Sequence, residues 1–361
     1  MYAINAKQLI QIIHDVCIDM NSVIAVWGGS GGGKSQITGQ AAKLYKKCPV
    51  YNCDVRAGQN DTVDLKGLPD RIEIDGKRLT MWNMASMLPF KNNPLFDHCS
   101  DGIILLILDE FDHGMQGVKG MMYQVLAERR LGEEELRDNV RIITIRNRPK
   151  DKGVSGGREP EPLNRRQTHF EYITDLECFC DYISDNCERP NYKGLTMGRE
   201  NASLLIAFLN WQKSYLDTYD PEKPEISVGC GRTWEDAGCF LNLKDESVKA
   251  AAIAGAVGDG RGDAFRNFIA LKDKILPISR ILKDPLGVPL PEAPDIQYMT
   301  TVSVSGSMNL KTITPLYKFM CRLSAEFVVL AWQLALKRDK ELYETNEFLD
   351  FTKTYKAVFS R

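Results

Sequence analysis

No apolar run in this chain is long enough to cross a bilayer. The longest candidates, Ile103 to Leu108 and Phe327 to Leu336, have the length of core segments. The N-terminus lacks a basic segment leading into an apolar one with a small-residue cleavage site, so no secretory signal is expected. Histidine is scarce, with four residues in 361. The ten cysteines are scattered, and Cys178-Phe179-Cys180 is the one tight pair. That spacing offers no zinc site, and it favours reduced thiols in a cytoplasm over a disulfide framework. An excess of one charge is missing too. Lys and Arg number 46 against 48 Asp and Glu, for a net charge of −2 and a pI near 6.2. Bulk charge therefore does not select nucleic acid as a partner, although a local basic stripe stays open. What is present, 43% hydrophobic and 26% charged residues, is the composition of an ordinary globular chain, long enough for two domains.

Against this background one segment stands out. Gly28-Gly29-Ser30-Gly31-Gly32-Gly33-Lys34-Ser35 fits the phosphate-loop pattern G-x-x-x-x-G-K-[ST], and it follows the apolar run Val23 to Trp27. A buried strand would deliver the chain to a tight loop whose N–H groups wrap a polyphosphate. A helix then starts with its positive end toward the anion. Lys34 would neutralise the β- and γ-phosphates, and Ser35 would ligate Mg²⁺.

The rest of the first half alternates. Apolar positions at residues 6–20 have a helical period. Strands are predicted at 22–27, Val50 to Val55, Ile103 to Leu108, Arg141 to Ile145 and Phe170 to Ile173, with helices at 34–47 and 115–131. Asp75-Gly76, inside the irregular stretch 56–100, reads as a hairpin turn. This order implies an α/β domain over 1–180, with a parallel five-stranded sheet flanked by helices. Beyond it, helical spacing dominates and a second, mainly α-helical domain is expected over 190–361. Within it, 276–294 is proline-rich and expected to be extended, and 315–340 is expected to be one long helix.

Three further groups carry chemistry. Asp109 and Glu110 end a fully apolar strand about 70 residues after the loop, where Asp109 would hold Mg²⁺ and Glu110 would activate the attacking water. Asn147 ends the next strand, on the side where parallel sheets bind ligands; a neutral amide there would position that water. Arg165 and Arg166 would stabilise charge on a transferring phosphoryl group, and from a neighbouring subunit they would couple hydrolysis to assembly.

The order of phosphate loop, hairpin insertion, Asp-Glu strand, strand-end Asn and Asn-Arg element resembles the AAA+ ATPases. The MoxR-like branch, in forms common in phage and bacterial genomes, is the most similar. The resemblance rests also on Val63-Asp64-Leu65-Lys66-Gly67-Leu68-Pro69, on Trp82 and Leu88-Pro89, on Gln124 to Gly132, on Arg232-Thr233-Trp234-Glu235 and on Gly255 to Gly258. It spans roughly residues 20–300.

The resemblance implies that Gly28, Gly29, Ser30, Gly31, Gly32, Gly33, Lys34, Ser35 and Gln36 form the Walker A loop for ATP. Asp109 and Glu110 would form Walker B, with Ser35 and Asp109 the Mg²⁺ residues. Asn147 would be sensor 1, Arg165 the arginine finger with Arg166 beside it, and Arg232 the sensor 2 arginine of a helical lid. Residues 56–90 would be the pore-facing insertion. It further implies a hexameric ring with ATP between domains at a subunit interface, and chaperone-like remodelling of a protein client, first among them a von Willebrand factor A domain protein. A nucleic-acid motor or DNA replication factor is the alternative, and no membrane is involved. Two positions depart from the family pattern. Arg146 stands where a small residue is usual, and Gly231 replaces a proline.

Overall fold

The computed structural model describes residues 2–148, 151, 164–220, 222–223, 225–271 and 277–355. The chain forms two compact units, residues 1–178 with 219–224, and residues 179–218 with 225–361.

The first unit is α/β. Its central sheet has strands β1 (Ala3–Ile4), β2 (Ile24–Gly28), β3 (Val50–Arg56), β6 (Ile103–Asp109), β9 (Val140–Asn147) and β10 (Thr168–Tyr172), in the order β1-β10-β2-β9-β6-β3. Every pairing is parallel. The sheet therefore has six strands rather than the five expected. The extra one, β1, is a two-residue edge strand, too short to show any periodicity in sequence. Helices cover both faces, which is why β6 reads as an unbroken apolar run. On one face Ile24, Val26, Ile143 and Ile145 pack with Leu9 and Ile13. On the other, Ile104, Leu106, Leu108 and Ile142 pack with Val118, Met122 and Val125 of helix α4 (Gln116–Glu128). Each such side chain, fully buried, contributes about 1.5–3 kcal/mol.

Helix α1 (Ala6–Ile12) runs into a π-helical stretch, Ile13–Asp19, which the single helical period over 6–20 does not distinguish. It is tied to helix α2 (Lys34–Leu44) by His14, whose Nε2 donates to the Ala41 carbonyl at 2.8 Å. The stretch 56–90 holds a short helix α3 (Thr62–Lys66) and an antiparallel pair, β4 (Pro69–Ile74) and β5 (Lys77–Trp82). Asp75 and Gly76 both have positive φ at its turn, as a two-residue hairpin with matched twist requires. A second small hairpin, β7 (Arg130–Leu131) with β8 (Glu134–Glu135), follows α4.

The regular elements of the second unit are all helical among the described residues. Phe208 stands at the centre of one aromatic cluster, with Trp234, Phe265 and Phe268 around it. Trp332, Phe319 and Phe351 fill another core. Two expectations are corrected here. The proline-rich stretch contains a helix, Ile278–Lys283, because Ile281 buries its side chain completely. The expected long helix over 315–340 is two, Ile313–Met320 and Ala325–Arg338. The chain turns between them so that Leu316, Phe319, Val328 and Trp332 meet in one core, a requirement that helical period alone does not reveal.

Among the described residues no helix is long and apolar enough to cross a membrane.

Candidate functional site

Parallel strands all end on the same side of a sheet, and here β2, β9 and β6 lie next to one another. That places Gly28, Asn147 and Asp109, the last residues of these strands, along one edge. The strand order sets Asn147 between the phosphate loop and the acidic pair.

The loop from Gly28 to Gly33 hands over to α2, where Gly33 is the N-cap with φ 90°, a left-handed conformation that favours glycine. Ile37 N–H to Gly33 C=O, at 2.9 Å, closes the first turn. The N–H groups before Ile37 come too early in the helix to bond a carbonyl one turn back, the feature that suits a helix start to an anion. Gly28 allows a close approach, since a Cβ there would stand 2.9 Å from the Tyr172 carbonyl and 3.1 Å from Lys34 Cδ. Gly29, Gly31 and Gly32 are half-buried, whereas Ser30, Ser35 and Gln36 are exposed.

Lys34 is only 8% exposed. Its Nζ donates to the carbonyls of Gly28 at 2.9 Å and Gly29 at 2.8 Å, and to Asn147 Oδ1 at 3.4 Å. Burial pushes its ammonium group down to about 8, against the pull of the Asp109 carboxylate. The Ser35 hydroxyl donates to Asp109 Oδ2 at 2.6 Å. Asp109 Oδ1 accepts the Glu110 N–H at 2.8 Å. Glu110 itself sits at φ 51°, a strained conformation for a side chain of this kind, costing about 1 kcal/mol or more. It turns the carboxylate toward Gly58, where a Cβ would lie 3.2 Å from Glu110 Oε2.

The structure thus brings together Lys34, Ser35, Asp109 and Asn147, with Glu110 following Asp109. It does not bring Arg165 and Arg166 to them. Thr168, the first residue of β10, pairs with Ile24, the first of β2. The turn carrying both arginines therefore stands at the opposite end of the sheet, roughly 13 Å of strand away. Both arginines are exposed. Arg232 belongs to the second unit, exposed at the start of helix Gly231–Phe240 with its guanidinium 5.5 Å from the Tyr192 ring centre.

Further residues join the site that the motifs alone do not pick out. Asp112 is buried, and its Oδ2 accepts the Asn147 N–H at 2.7 Å, fixing the end of β9. Asp54, on β3, adds a third carboxylate beside Asp109 and Glu110. Burial raises its proton affinity, and those two charges add to the effect while Arg56 opposes it. Arg148 donates to Asp151 Oδ2 at 2.5 Å, and its charge reaches Lys34. The signal for Asp112 was the spacing Asp-Glu-Phe-Asp. Nothing in sequence singled out Asp54 or Arg148.

A nucleoside polyphosphate with Mg²⁺ fits what is present. The loop glycines let the backbone pack where a Cβ at Gly28 or Gly32 would collide with Tyr172, Lys34 or Thr174. A hydroxyl and a carboxylate, the hard oxygen donors that Mg²⁺ takes, already meet within hydrogen-bond distance.

No family model matches the sequence, and no curated protein matches it. Among solved structures, NtrX from Brucella abortus is similar at 16% identity over 91% of this chain and 67% of that one, with a TM-score of 0.38. NtrX in complex with ADP aligns at 15% identity over 97% and 68%, TM-score 0.39. NtrX in complex with ATP aligns at 13% identity over the same shares, TM-score 0.39. Likeness this distant carries no weight for the chemistry of this chain.

Proposed function

We propose that this chain is a Mg²⁺-dependent ATPase of AAA+ type, similar to the MoxR-like branch. One observation carries the reading. The Ser35 hydroxyl meets the Asp109 carboxylate at 2.6 Å, beside a buried Lys34 within reach of Asn147, at the ends of adjacent parallel strands. Lys34 and the loop N–H groups bind the β- and γ-phosphates. Ser35 and Asp109 would hold Mg²⁺, which would supply charge neutralisation at the phosphates. Glu110 takes the proton from the attacking water, and Asn147 orients that water without competing for its proton.

Arg165 and Arg166 stand too far from Lys34 to act within one chain, which supports a role for them in a neighbouring subunit's site. The whole is then an oligomeric ring, most simply a hexamer. Its output is remodelling of a protein client, with a von Willebrand factor A domain protein as the first candidate, and Arg232 as the residue through which the helical unit senses the γ-phosphate. The hairpin β4–β5 is exposed along nearly its whole length and offers the client a surface.

The test is affinity capture with Glu110→Gln and ATP. Enrichment of a protein client supports the reading. A second reading, an AAA+ nucleic-acid motor, is favoured by the exposed basic residues Arg71, Lys77 and Arg78 of the hairpin. Capture of nucleic acid whose affinity falls steeply with salt selects that reading instead.

A further inference from the structure

Paired residues in a sheet share a face, and so do residues two apart. Trp27 pairs with Arg146, and His169 pairs with Ala25. Trp27, Arg146 and His169 therefore lie on one face, at the penultimate positions of β2 and β9 and near the start of β10. They make two polar threads that run away from the nucleotide end.

In the first thread, Trp27 Nε1 donates to His169 Nδ1 at 2.9 Å. An indole N–H can only donate, so Nδ1 presents its lone pair and the ring hydrogen is on Nε2. That Nε2–H reaches the Asn164 carbonyl at 2.7 Å, and Asn164 immediately precedes Arg165. In the second, Arg146 is 1% exposed, with its guanidinium 5.0 Å from the Trp27 ring centre and 4.4 Å from that of Phe111. Its Nη2 donates to Gln167 Oε1 at 3.1 Å, and the same oxygen accepts the Thr144 hydroxyl at 2.8 Å. Gln167 immediately follows Arg166. The turn bearing both arginines is thus gripped at each end. The grips are side chains of the residues that directly precede Gly28 and Asn147. The bonds of the second thread are buried and those of the first half-buried, and breaking a buried one leaves a polar group without water or partner.

We propose that Trp27, His169, Arg146 and Gln167 are positioning residues that set the pose in which Arg165 and Arg166 are offered to a neighbouring ATP site. This rests on the proposed function, in which those arginines act across subunits. A positioning defect lies in what a subunit donates, not in the site it carries, and this makes it separable from a folding defect.

The test uses the full chain. Trp27→Phe and His169→Leu are assayed alone and mixed with Lys34→Ala. His169→Gln, which restores one acceptor and one donor, is the conservative variant. The Arg165→Ala/Arg166→Ala double variant mixed with Lys34→Ala is the control. The expected result is a roughly tenfold loss of kcat for Trp27→Phe and His169→Leu, with KM and nucleotide Kd within about twofold. Mixing with Lys34→Ala then recovers activity as the control does, and His169→Gln stays near the parent. Unchanged kcat in both Trp27→Phe and His169→Leu overturns the proposal, as does absence of recovery while the control recovers. If the control itself fails to recover, the shared site falls and the positioning role falls with it.

Discussion

The hydroxyl of Ser35 donates to Asp109 Oδ2 at 2.6 Å, although 74 residues separate the two in the chain. The contact joins the first turn of α2 to the end of β6, the two elements that any Mg²⁺-nucleotide chemistry in this fold has to bring together. It also frames what each neighbouring residue is expected to do when changed.

Glu110 follows Asp109 and is held in a strained backbone conformation. Its carboxylate is expected to serve the attacking water, not nucleotide binding. Glu110→Gln should bind ATP with an affinity close to the parent and lose turnover by about 100-fold or more. Phosphate release and a fluorescent-nucleotide titration measure the two quantities. Undiminished turnover removes Glu110 from the mechanism.

Lys34 sits at about 8 in the folded chain against an ordinary 10.5. Between those values the unfolded chain binds more protons than the folded one. Lys34 therefore contributes a stability that rises with pH across that window, by at most about 1.4 kcal/mol per pH unit, and that does not vary with pH below it, where the cost of burying its charge is fully present. Lys34→Met should remove the rise between about pH 8 and pH 9 in denaturant unfolding, below the range where the buried Cys17 and Cys53 thiols, pushed up from 9.0, add a slope of opposite sign. A bound polyphosphate favours the charged ammonium, so ATP affinity should fall above about pH 8, by up to about tenfold per unit. A flat affinity profile there means that Lys34 is charged before nucleotide arrives.

Gly28 leaves no room for a side chain. In Gly28→Ala the new methyl group meets the Tyr172 carbonyl at 2.9 Å and the Lys34 stem at 3.1 Å. Backbone cannot yield as a side chain does, so Lys34 should be displaced and stability should drop by about 1–3 kcal/mol. Thermal unfolding and ATP titration should report both losses together.

The hairpin β4–β5 exposes Ile74, Leu79, Met81 and Trp82 and contributes little to the core, whose nearby anchors are Leu65, Leu88 and Phe90. Replacing residues 70–81 by a short glycine linker should leave Tm within a few degrees of the parent and leave ATP turnover in place. Under the proposed function, client capture should cease. A large fall in Tm shows that the ribbon is structural.

Much of the first unit was legible because its signals are local. The apolar run Ile103 to Leu108 reads as a strand covered on both faces, and Asp75-Gly76 as a tight turn between alternating segments. The β1 strand was not legible. Two residues have no period, and their pairing with β10 is a long-range event. The break between Ile313–Met320 and Ala325–Arg338 was missed for a related reason. Both segments share one helical spacing, and only their common core with Trp332 separates them. Asp54 was invisible because it matters only through the strand pairing that sets it beside Asp109 and Glu110.

The sequence by itself determined the chemistry on offer. A glycine loop with Lys34 and Ser35, and an acidic pair after an apolar strand, are short patterns whose meaning lies in bonds that each residue type can make. Tertiary structure alone decided which of these residues meet. Parallel pairing in the order β10-β2-β9-β6 sets Asn147 between the loop and the acids. The same register puts Arg165 and Arg166 at the far end of the sheet, and it buries Arg146 where it grips their turn. Which residues become neighbours depends on strand order and register, and these are set by packing across the whole sheet rather than by any local run of residues.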